Sequence, residues 1–105
     1  MEVQLLVVDH CAQQGSAEEL VRGLLDELGM IHVPVPVMVV QSQREAEQRR
    51  FSGSPTILID GHDPFAEPGA QPGLACRLYA TSVGRTGVPD ADALRAALRA
   101  AAHCT

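Results

Sequence analysis

Residues 3–8 read VQLLVV, a nearly continuous apolar run close to the start of the chain. An uninterrupted run of this length, rich in valine and leucine, is typical of a β-strand that is covered by other residues on both faces. The run ends at residues 9–11, Asp-His-Cys, where a loop begins. Because a strand covered on both faces belongs inside a sheet, the run predicts the central strand of an α/β domain.

The segment after this strand has the pattern of an amphipathic helix. Ser16 followed by Glu19 is a capping box, which predicts a helix that begins at residue 17. The apolar residues behind it fall on one helical stripe: Leu20, Val21, Leu24, Leu25 and Leu28. Gly29 is a natural C-terminal stop, so the helix is predicted to end there.

A valine-rich segment, IHVPVPVMVV at residues 31–40, is predicted to be the second strand. Pro34 and Pro36 have no N–H group to donate to a ladder, which confines this strand to an edge of the sheet. Since a helix connects it to the first strand, the two strands are predicted to pair in parallel through a right-handed crossover.

A second capping box, Ser42 and Glu45, predicts a short polar helix that runs to about Phe51 and is closed by Gly53. Glu45 and Arg49 are four residues apart, a spacing at which opposite charges pair on a helix surface. The arginines of this region are therefore interpreted as a solvated face rather than an anion site: Arg44, Arg49 and Arg50.

The second half of the chain is less regular. Residues 53–61 read GSPTILIDG, a strand between a proline and an Asp-Gly turn signal. Residues 61–75 hold three prolines and three glycines and are predicted to be an irregular connection, of a length that is often functional. Residues 76–80 are predicted to be a fourth strand, residues 84–87 a turn, and the residues from Asp90 a closing helix.

These elements predict one α/β domain over residues 1–105 in the order β-α-β-α-β-β-α. The first strand is central and the second is its parallel neighbour at one edge. The third strand takes the first strand's other side, and the fourth, as its hairpin partner, takes the far edge. The predicted fold is therefore a four-stranded mixed sheet flanked by helices.

Charge and composition exclude several functions. Eight arginines against thirteen acidic residues give a formal net charge of −5, which excludes binding to nucleic acid or to an anionic membrane through bulk charge. The absence of lysine excludes Schiff-base chemistry and the P-loop lysine. The absence of both lysine and asparagine indicates a GC-rich, bacterial genome. No apolar run reaches the length of a membrane span and no signal-peptide pattern opens the chain, so we expect a soluble, cytoplasmic protein.

The three cysteines, Cys11, Cys76 and Cys104, match neither a disulfide framework nor a zinc-binding pattern, and no metal or cofactor is predicted. Cys76 would open the fourth strand opposite Asp60, some 15 Å from Cys11 at ~3.3 Å per residue. A disulfide needs a much shorter separation, so without a large excursion of residues 61–75 the pair cannot form. Cys76 is interpreted as a packed structural residue rather than a resolving thiol, and Cys104 as incidental on a frayed tail.

Three features of the chain resemble the thioredoxin fold: a cysteine just after the first strand, Ser54-Pro55-Thr56 before the third, and a closing helix. More narrowly, GSPTILIDGHDPF (residues 53–65) and CRLY (residues 76–79) resemble short thioredoxin-like proteins, some of them labelled alkylmercury lyase-like. The resemblance implies a cis Ser54–Pro55 peptide bond beside Cys11 and a Ser54 backbone that holds an extended partner. The chain departs from the thioredoxin pattern at residues 11–14, which read Cys-Ala-Gln-Gln, because thioredoxins have a second cysteine in this stretch.

Cys11 is consequently the candidate catalytic residue, with Ser54 and Pro55 as candidate substrate-binding residues. Cys11 precedes a helix N-terminus, which favours a thiolate. The expected function is thiol–disulfide exchange or mixed-disulfide formation through this one cysteine, with a protein or small-molecule thiol or disulfide as partner. The alternative is a non-catalytic binding module for a peptide, a protein partner or a soft metal ion. His10 is interpreted as a solvent-exposed strand end. The sequence leaves open whether the protein is an enzyme and which oligomeric state it has.

Overall fold

The computed structural model describes residues 1–103 and confirms an α/β chain, with three helices and five strands among those residues. Cys104 lies outside the described residues. In chain order the elements are β1 (Val3–Val7), α1 (Gln14–Glu27), β2 (Val37–Val39), α2 (Gln43–Arg49), β3 (Thr56–Ile59), β4 (Tyr79–Thr81), β5 (Gly84–Thr86) and α3 (Ala91–His103). Within residues 1–103, no helix is both long and apolar enough to cross a bilayer.

β1 is the centre of a three-stranded sheet with the order β2-β1-β3. β2 pairs with it in parallel, with Leu5 opposite Val37, and β3 pairs antiparallel, with Leu5 also opposite Ile57. The predictions of a central first strand, a parallel edge strand and a third strand on the other side are confirmed. This arrangement brings the C-terminal end of β1 and the N-terminal start of β3 to the same end of the sheet.

The two faces of β1 contribute to separate apolar clusters. Leu5 and Val7 pack with α1 and α3 in the larger cluster, which buries Leu25 and Leu98 completely. On the other face, Leu6 contacts a smaller cluster around Phe51, beside α2. Alternate residues of one strand are thus buried on opposite sides, which explains why its sequence is apolar throughout.

The predicted four-stranded sheet is wrong. After β3 the chain makes no ladder with residues 76–80; Cys76 forms a single parallel bridge with Ser54, and β4 pairs instead with β5 in a separate two-stranded sheet. The predicted turn at residues 84–87 is therefore largely a strand. The chain turns away after this bridge, because the Arg77 side chain is directed inward to Asp63 and Tyr79 pairs with Thr86 of β5.

The predicted second strand is much shorter than residues 31–40. Its first part carries two prolines, and the Arg22 guanidinium of α1 donates hydrogen bonds to the carbonyl groups of Met30 and Val33. Because these carbonyls bond to a side chain, this part of the segment forms no ladder with β1. The ladder begins where the Leu5 N–H reaches the carbonyl of Pro36 at 2.9 Å.

Two helix ends differ from their predictions. α1 begins at Gln14 rather than at residue 17, because the Gln13 carbonyl accepts the Ala17 N–H and no side-chain cap is used. α2 ends at Arg49, and Arg50 follows in the left-handed conformation at φ 54°. The N-cap at Ser42 is confirmed, since its hydroxyl accepts the Glu45 N–H at 3.1 Å. The Glu45 carboxylate reaches back to the N–H of Gln41 at 3.3 Å, one residue beyond the box.

Candidate functional site

Cys11 lies in the loop between β1 and α1. Its carbonyl accepts the N–H of Gln14, the first residue of α1, at 3.3 Å. The side chain is half-buried and contacts the apolar cluster formed by β1, α1 and α3. His10, before it, is exposed and pairs only with its neighbour Asp9 at 3.5 Å, as the sequence indicated. Cys11 therefore has one side against the core and one side open to solvent.

The N-terminus of α1 begins close to Cys11. Two residues, Ala12 and Gln13, separate Cys11 from Gln14, fewer than the predicted start at residue 17 would give. The first turn contains no acidic residue, although the Glu18 carboxylate of the next turn accepts a hydrogen bond from the Gln14 side chain at 3.0 Å. α1 thus begins nearer to Cys11 along the chain than the capping box at Ser16 predicts.

Ser54 and Pro55 lie at the start of β3, and the peptide bond between them is cis, as the resemblance implied. Both residues are buried. The Ser54 hydroxyl accepts the N–H of Val8 at 3.0 Å, which joins the end of β1 to the residues before β3. Cys11 follows Val8 by three residues, so at most roughly 11 Å of chain separates them. The end of β1 therefore lies beside Ser54, and Cys11 follows in the loop after it.

The main-chain groups of Ser54 are already bonded within the chain. Its N–H donates to the carbonyl of Ala75 at 2.8 Å, and its carbonyl accepts the N–H of Arg77 at 3.0 Å. Only 2% of the Ser54 surface is exposed. An extended partner that bonds to Ser54 in the way the resemblance implies would first have to displace residues 75–77.

The interpretation of Cys76 as a packed residue opposite Asp60 is wrong. Cys76 is exposed and lies beside Ser54, on the side away from β1. Two strand spacings, about 10 Å, therefore separate its backbone from that of Val8. The error has a physical cause: the chain does not return along β3 as a hairpin but crosses to its beginning.

A buried arginine, which the sequence analysis did not single out, fixes this crossing. The Arg77 guanidinium donates to the Asp63 carboxylate at 2.6 Å, to the Thr56 hydroxyl at 3.1 Å and to the Phe65 carbonyl at 2.6 Å. Only 9% of the Arg77 side chain and 11% of the Asp63 side chain are exposed. Arg77 also lies 4.5 Å from the centre of the Tyr79 ring. We refer to these five residues as the arginine cluster.

The Tyr79 hydroxyl extends the arginine cluster to the candidate site, because it donates a hydrogen bond to the carbonyl of Pro55. Its ring meets Phe65 edge to face, with 5.5 Å between the centroids. Burial raises the pKa of Tyr79 above its ordinary value, so the phenol stays neutral and remains a donor. The signal that could have pointed to the cluster was a charged residue, Arg77, within a predicted strand.

A separate cavity of about 370 Å³ lies between the end of α2 and the connection after β3. Arg49, Arg50 and His62 line it, and the three residues predicted as the site do not. Within residues 1–103, no three His, Cys, Asp or Glu side chains converge in a way that could hold a metal ion. A scan against protein-family models and searches of curated proteins and of solved structures find no match to this chain.

Proposed function

We propose that the chain is a thioredoxin-like thiol protein that acts through Cys11 in thiol–disulfide exchange or mixed-disulfide formation. The observation that carries the proposal is the start of α1 at Gln14, which leaves Cys11 beside an N-terminal turn without acidic residues. The N–H groups of such a turn favour a thiolate, which is the reacting species. The proposal fits a reducing compartment such as the cytoplasm.

The thioredoxin-like assignment has support from the backbone. β1 is central, β2 is its parallel neighbour, and β3 runs antiparallel after a cis Ser54–Pro55 bond that lies beside the end of β1. The sheet departs from the expected pattern at the fourth strand. The thioredoxin-like assignment therefore depends on the end of the sheet where β1 ends and β3 begins.

The chemical step needs only one protein thiol. Cys11 loses its proton to solvent, and its thiolate attacks one sulfur of a disulfide R–S–S–R′. The bond between Cys11 Sγ and that sulfur forms as the S–S bond breaks, and R′S⁻ leaves. Because residues 11–14 hold no second cysteine, a further external thiol must attack the mixed disulfide and regenerate Cys11.

The bonds that Ser54 already makes affect the choice of partner. A protein substrate held by the Ser54 backbone must displace Ala75 and Arg77, which costs their hydrogen bonds. A small disulfide needs only access to the Cys11 sulfur. Among the two partner classes expected from the sequence, the small-molecule disulfide is therefore the one we propose.

A non-catalytic binding module is the second candidate. The observation that favours it is the contact of the Cys11 side chain with the core cluster, which restricts the approach of a reactant to one side. In this role the end of the sheet where β1 ends and β3 begins binds a peptide, a protein partner or a soft metal ion without turnover. Cys11 would then be a ligand, because thiolates prefer soft metals.

The test compares the cysteines of the native protein. We expect glutathione disulfide to modify Cys11 roughly tenfold faster than Cys76 when each rate is divided by its value in urea, which removes the intrinsic reactivity of each sequence position. Because Cys76 is the more exposed thiol, a faster Cys11 indicates activation and not accessibility. Peptide mapping after timed quenching measures the rates, and Cys11→Ser and Cys76→Ser are the matched variants.

If Cys11 reacts no faster than Cys76 on this scale, the exchange function is wrong. Native mass spectrometry with mercuric ion then tests the second candidate. Binding that is lost in Cys11→Ser and kept in Cys76→Ser supports the binding module, whereas no binding or equal loss contradicts it.

A further inference from the structure

The cavity beside α2 has the size of a small-molecule site. Its volume is about 370 Å³, within the range of pockets that enclose small metabolites. One wall is the C-terminal end of α2, and the opposite wall is the connection that follows β3. Leu58 of β3 lines it together with Ala66 and Pro72. The cavity therefore combines an apolar lining with the polar side chains described next.

Two arginines and a histidine line this cavity together with two carboxylates, although the chain as a whole is acidic. Arg49 lines it from the end of α2, Arg50 from the residue that follows, and His62 from the connection after β3. Arg49 has one carboxylate neighbour, Glu45 of its own helix, at 3.6 Å. Among the described residues, no carboxylate lies within 4.0 Å of the Arg50 guanidinium. One guanidinium group is thus available for a ligand, and a second is held only by a partly exposed pair.

Two carboxylates also line the cavity, and one of them is neutralised within the protein. Asp63 is bonded to the Arg77 guanidinium in the arginine cluster, so its charge is neutralised within the protein. Glu67 lies where this cavity meets a smaller one, of about 180 Å³, which Arg77 and Arg85 line. With Asp63 paired to Arg77, the lining leaves two arginines against one carboxylate, that of Glu67, which has no ion pair within 4.0 Å among the described residues.

We infer that this cavity binds a small organic anion, a carboxylate or phosphate ester with an apolar body. The guanidinium groups of Arg49 and Arg50 offer the forked donors that pair with carboxylate and phosphate oxygens. Leu58, Ala66 and Pro72 provide the apolar contacts for the rest of the ligand. The sequence alone indicated a solvated face here, because it did not show that the connection after β3 folds over the end of α2.

Nuclear magnetic resonance titration tests the inference with phenyl phosphate and benzoate as probes and benzyl alcohol as the neutral control. We expect saturable shifts of the amide resonances of residues 61–63 and 66–67 with at least one anion, and none with benzyl alcohol. Saturation by phenyl phosphate alone assigns phosphate esters, and saturation by benzoate alone assigns carboxylates. No saturable shift with either anion, or equal binding of benzyl alcohol, overturns the inference.

Variants of the arginines identify the groups that bind the anion. We expect Arg50→Gln and Arg49→Gln each to raise the Kd roughly tenfold, since a charge-assisted hydrogen bond is lost. Arg44→Gln is the matched control on the same helix, because Arg44 does not line the cavity. An equal loss in Arg44→Gln, or no loss in the other two, overturns the inference. Cys11→Ser keeps the wild-type Kd, so a failure of the proposed thiol chemistry is separate from a failure here.

Discussion

The sheet with its two long helices and the connection after β3 are held together in different ways. Around β1, apolar side chains at strand and helix spacing form a core that buries Leu5, Leu25 and Leu98 completely. Over the start of β3, the connection is fixed mainly by one guanidinium, that of Arg77, and by few apolar contacts. A periodic core depends on many similar contacts, whereas the connection depends on one charged group whose neighbours are nearly all buried. Removing that group should release a whole segment.

The largest effect is expected from Arg77→Met. Methionine keeps an apolar stem but leaves the Asp63 carboxylate, only 11% exposed, without its cation. Removal of one partner of a buried ion pair typically costs 3–5 kcal/mol, and we expect a loss of about 3 kcal/mol in the free energy of unfolding. Urea denaturation followed by circular dichroism measures it.

A double variant and an exposed arginine sharpen this result. Arg77→Met combined with Asp63→Leu removes both charges, and we expect it to regain at least half of the lost stability. Arg95→Met, which breaks ion pairs with Glu27 and Asp92 on the surface, should have a much smaller effect. Equal losses in the free energy of unfolding in Arg77→Met and Arg95→Met would show that burial of the arginine cluster does not strengthen its contribution to stability.

The second effect tests the contact between the two regions. Gly53 precedes β3 with φ 140°, and a Cβ added there would lie 2.8 Å from Cβ of Arg77. We expect Gly53→Ala to lose about 2 kcal/mol from strain and to push residues 75–77 away from Ser54. Hydrogen exchange at the Arg77 N–H, which donates to Ser54, measures the displacement.

Gly23→Ala is the control for this substitution. Gly23 lies within α1 with nothing within 4 Å of an added Cβ, so alanine should stabilise the helix by up to about 1 kcal/mol. If Gly53→Ala is also neutral or stabilising and the Arg77 N–H stays protected, the close approach of the two regions does not constrain the fold.

The features that the sequence predicts well are those with local or periodic causes. The apolar run at residues 3–8 indicates a central strand because both faces of that strand are covered. Ser42 and Glu45 predict a helix start because the cap needs only groups within one turn. The meeting of the end of β1 with the start of β3 follows from strand direction once the two strands are placed antiparallel. These features could therefore be predicted without knowledge of the tertiary contacts.

The features that could not be predicted have causes distant in the chain. Residues 31–36 look extended, and their two prolines do not by themselves show where the ladder begins. The guanidinium of Arg22, which bonds to the carbonyl groups of Met30 and Val33, completes the explanation. The bridge between Ser54 and Cys76 joins residues 22 positions apart without any periodic pattern. The exposure of Cys76 depends in turn on Arg77, because that side chain turns inward. A single polar contact of this kind has no signature in composition or spacing.

A third, smaller effect concerns Tyr79, the only tyrosine of the chain. Burial raises its pKa above the ordinary value of 10.0, so above pH 10 the unfolded chain loses a proton that the folded chain keeps. The free energy of unfolding should therefore fall as pH rises above 10, by up to about 1.4 kcal/mol per pH unit, and be unaffected by this group below it. Phenolate absorbance and urea denaturation at several pH values measure both changes.

Tyr79→Phe is the control for the pH effect. It leaves the Pro55 carbonyl without its donor, which should cost about 1 kcal/mol at neutral pH, and it should remove the added loss above pH 10. A phenolate that forms at pH 10 in the folded protein would contradict the buried position of the ring and its part in the arginine cluster.

The smallest effect distinguishes two serines that the sequence treats alike. Ser42→Ala removes the hydroxyl that accepts the Glu45 N–H, and we expect a loss of about 1 kcal/mol. Ser16→Ala should cost nothing or stabilise slightly, because Ser16 lies inside α1, is exposed and caps no helix. Urea denaturation of both variants measures the difference. A loss in Ser16→Ala as large as that in Ser42→Ala would mean that α1 begins at residue 17 in solution. Cys11 would then lie a turn farther from the helix, and the proposed thiolate chemistry would lose its main support.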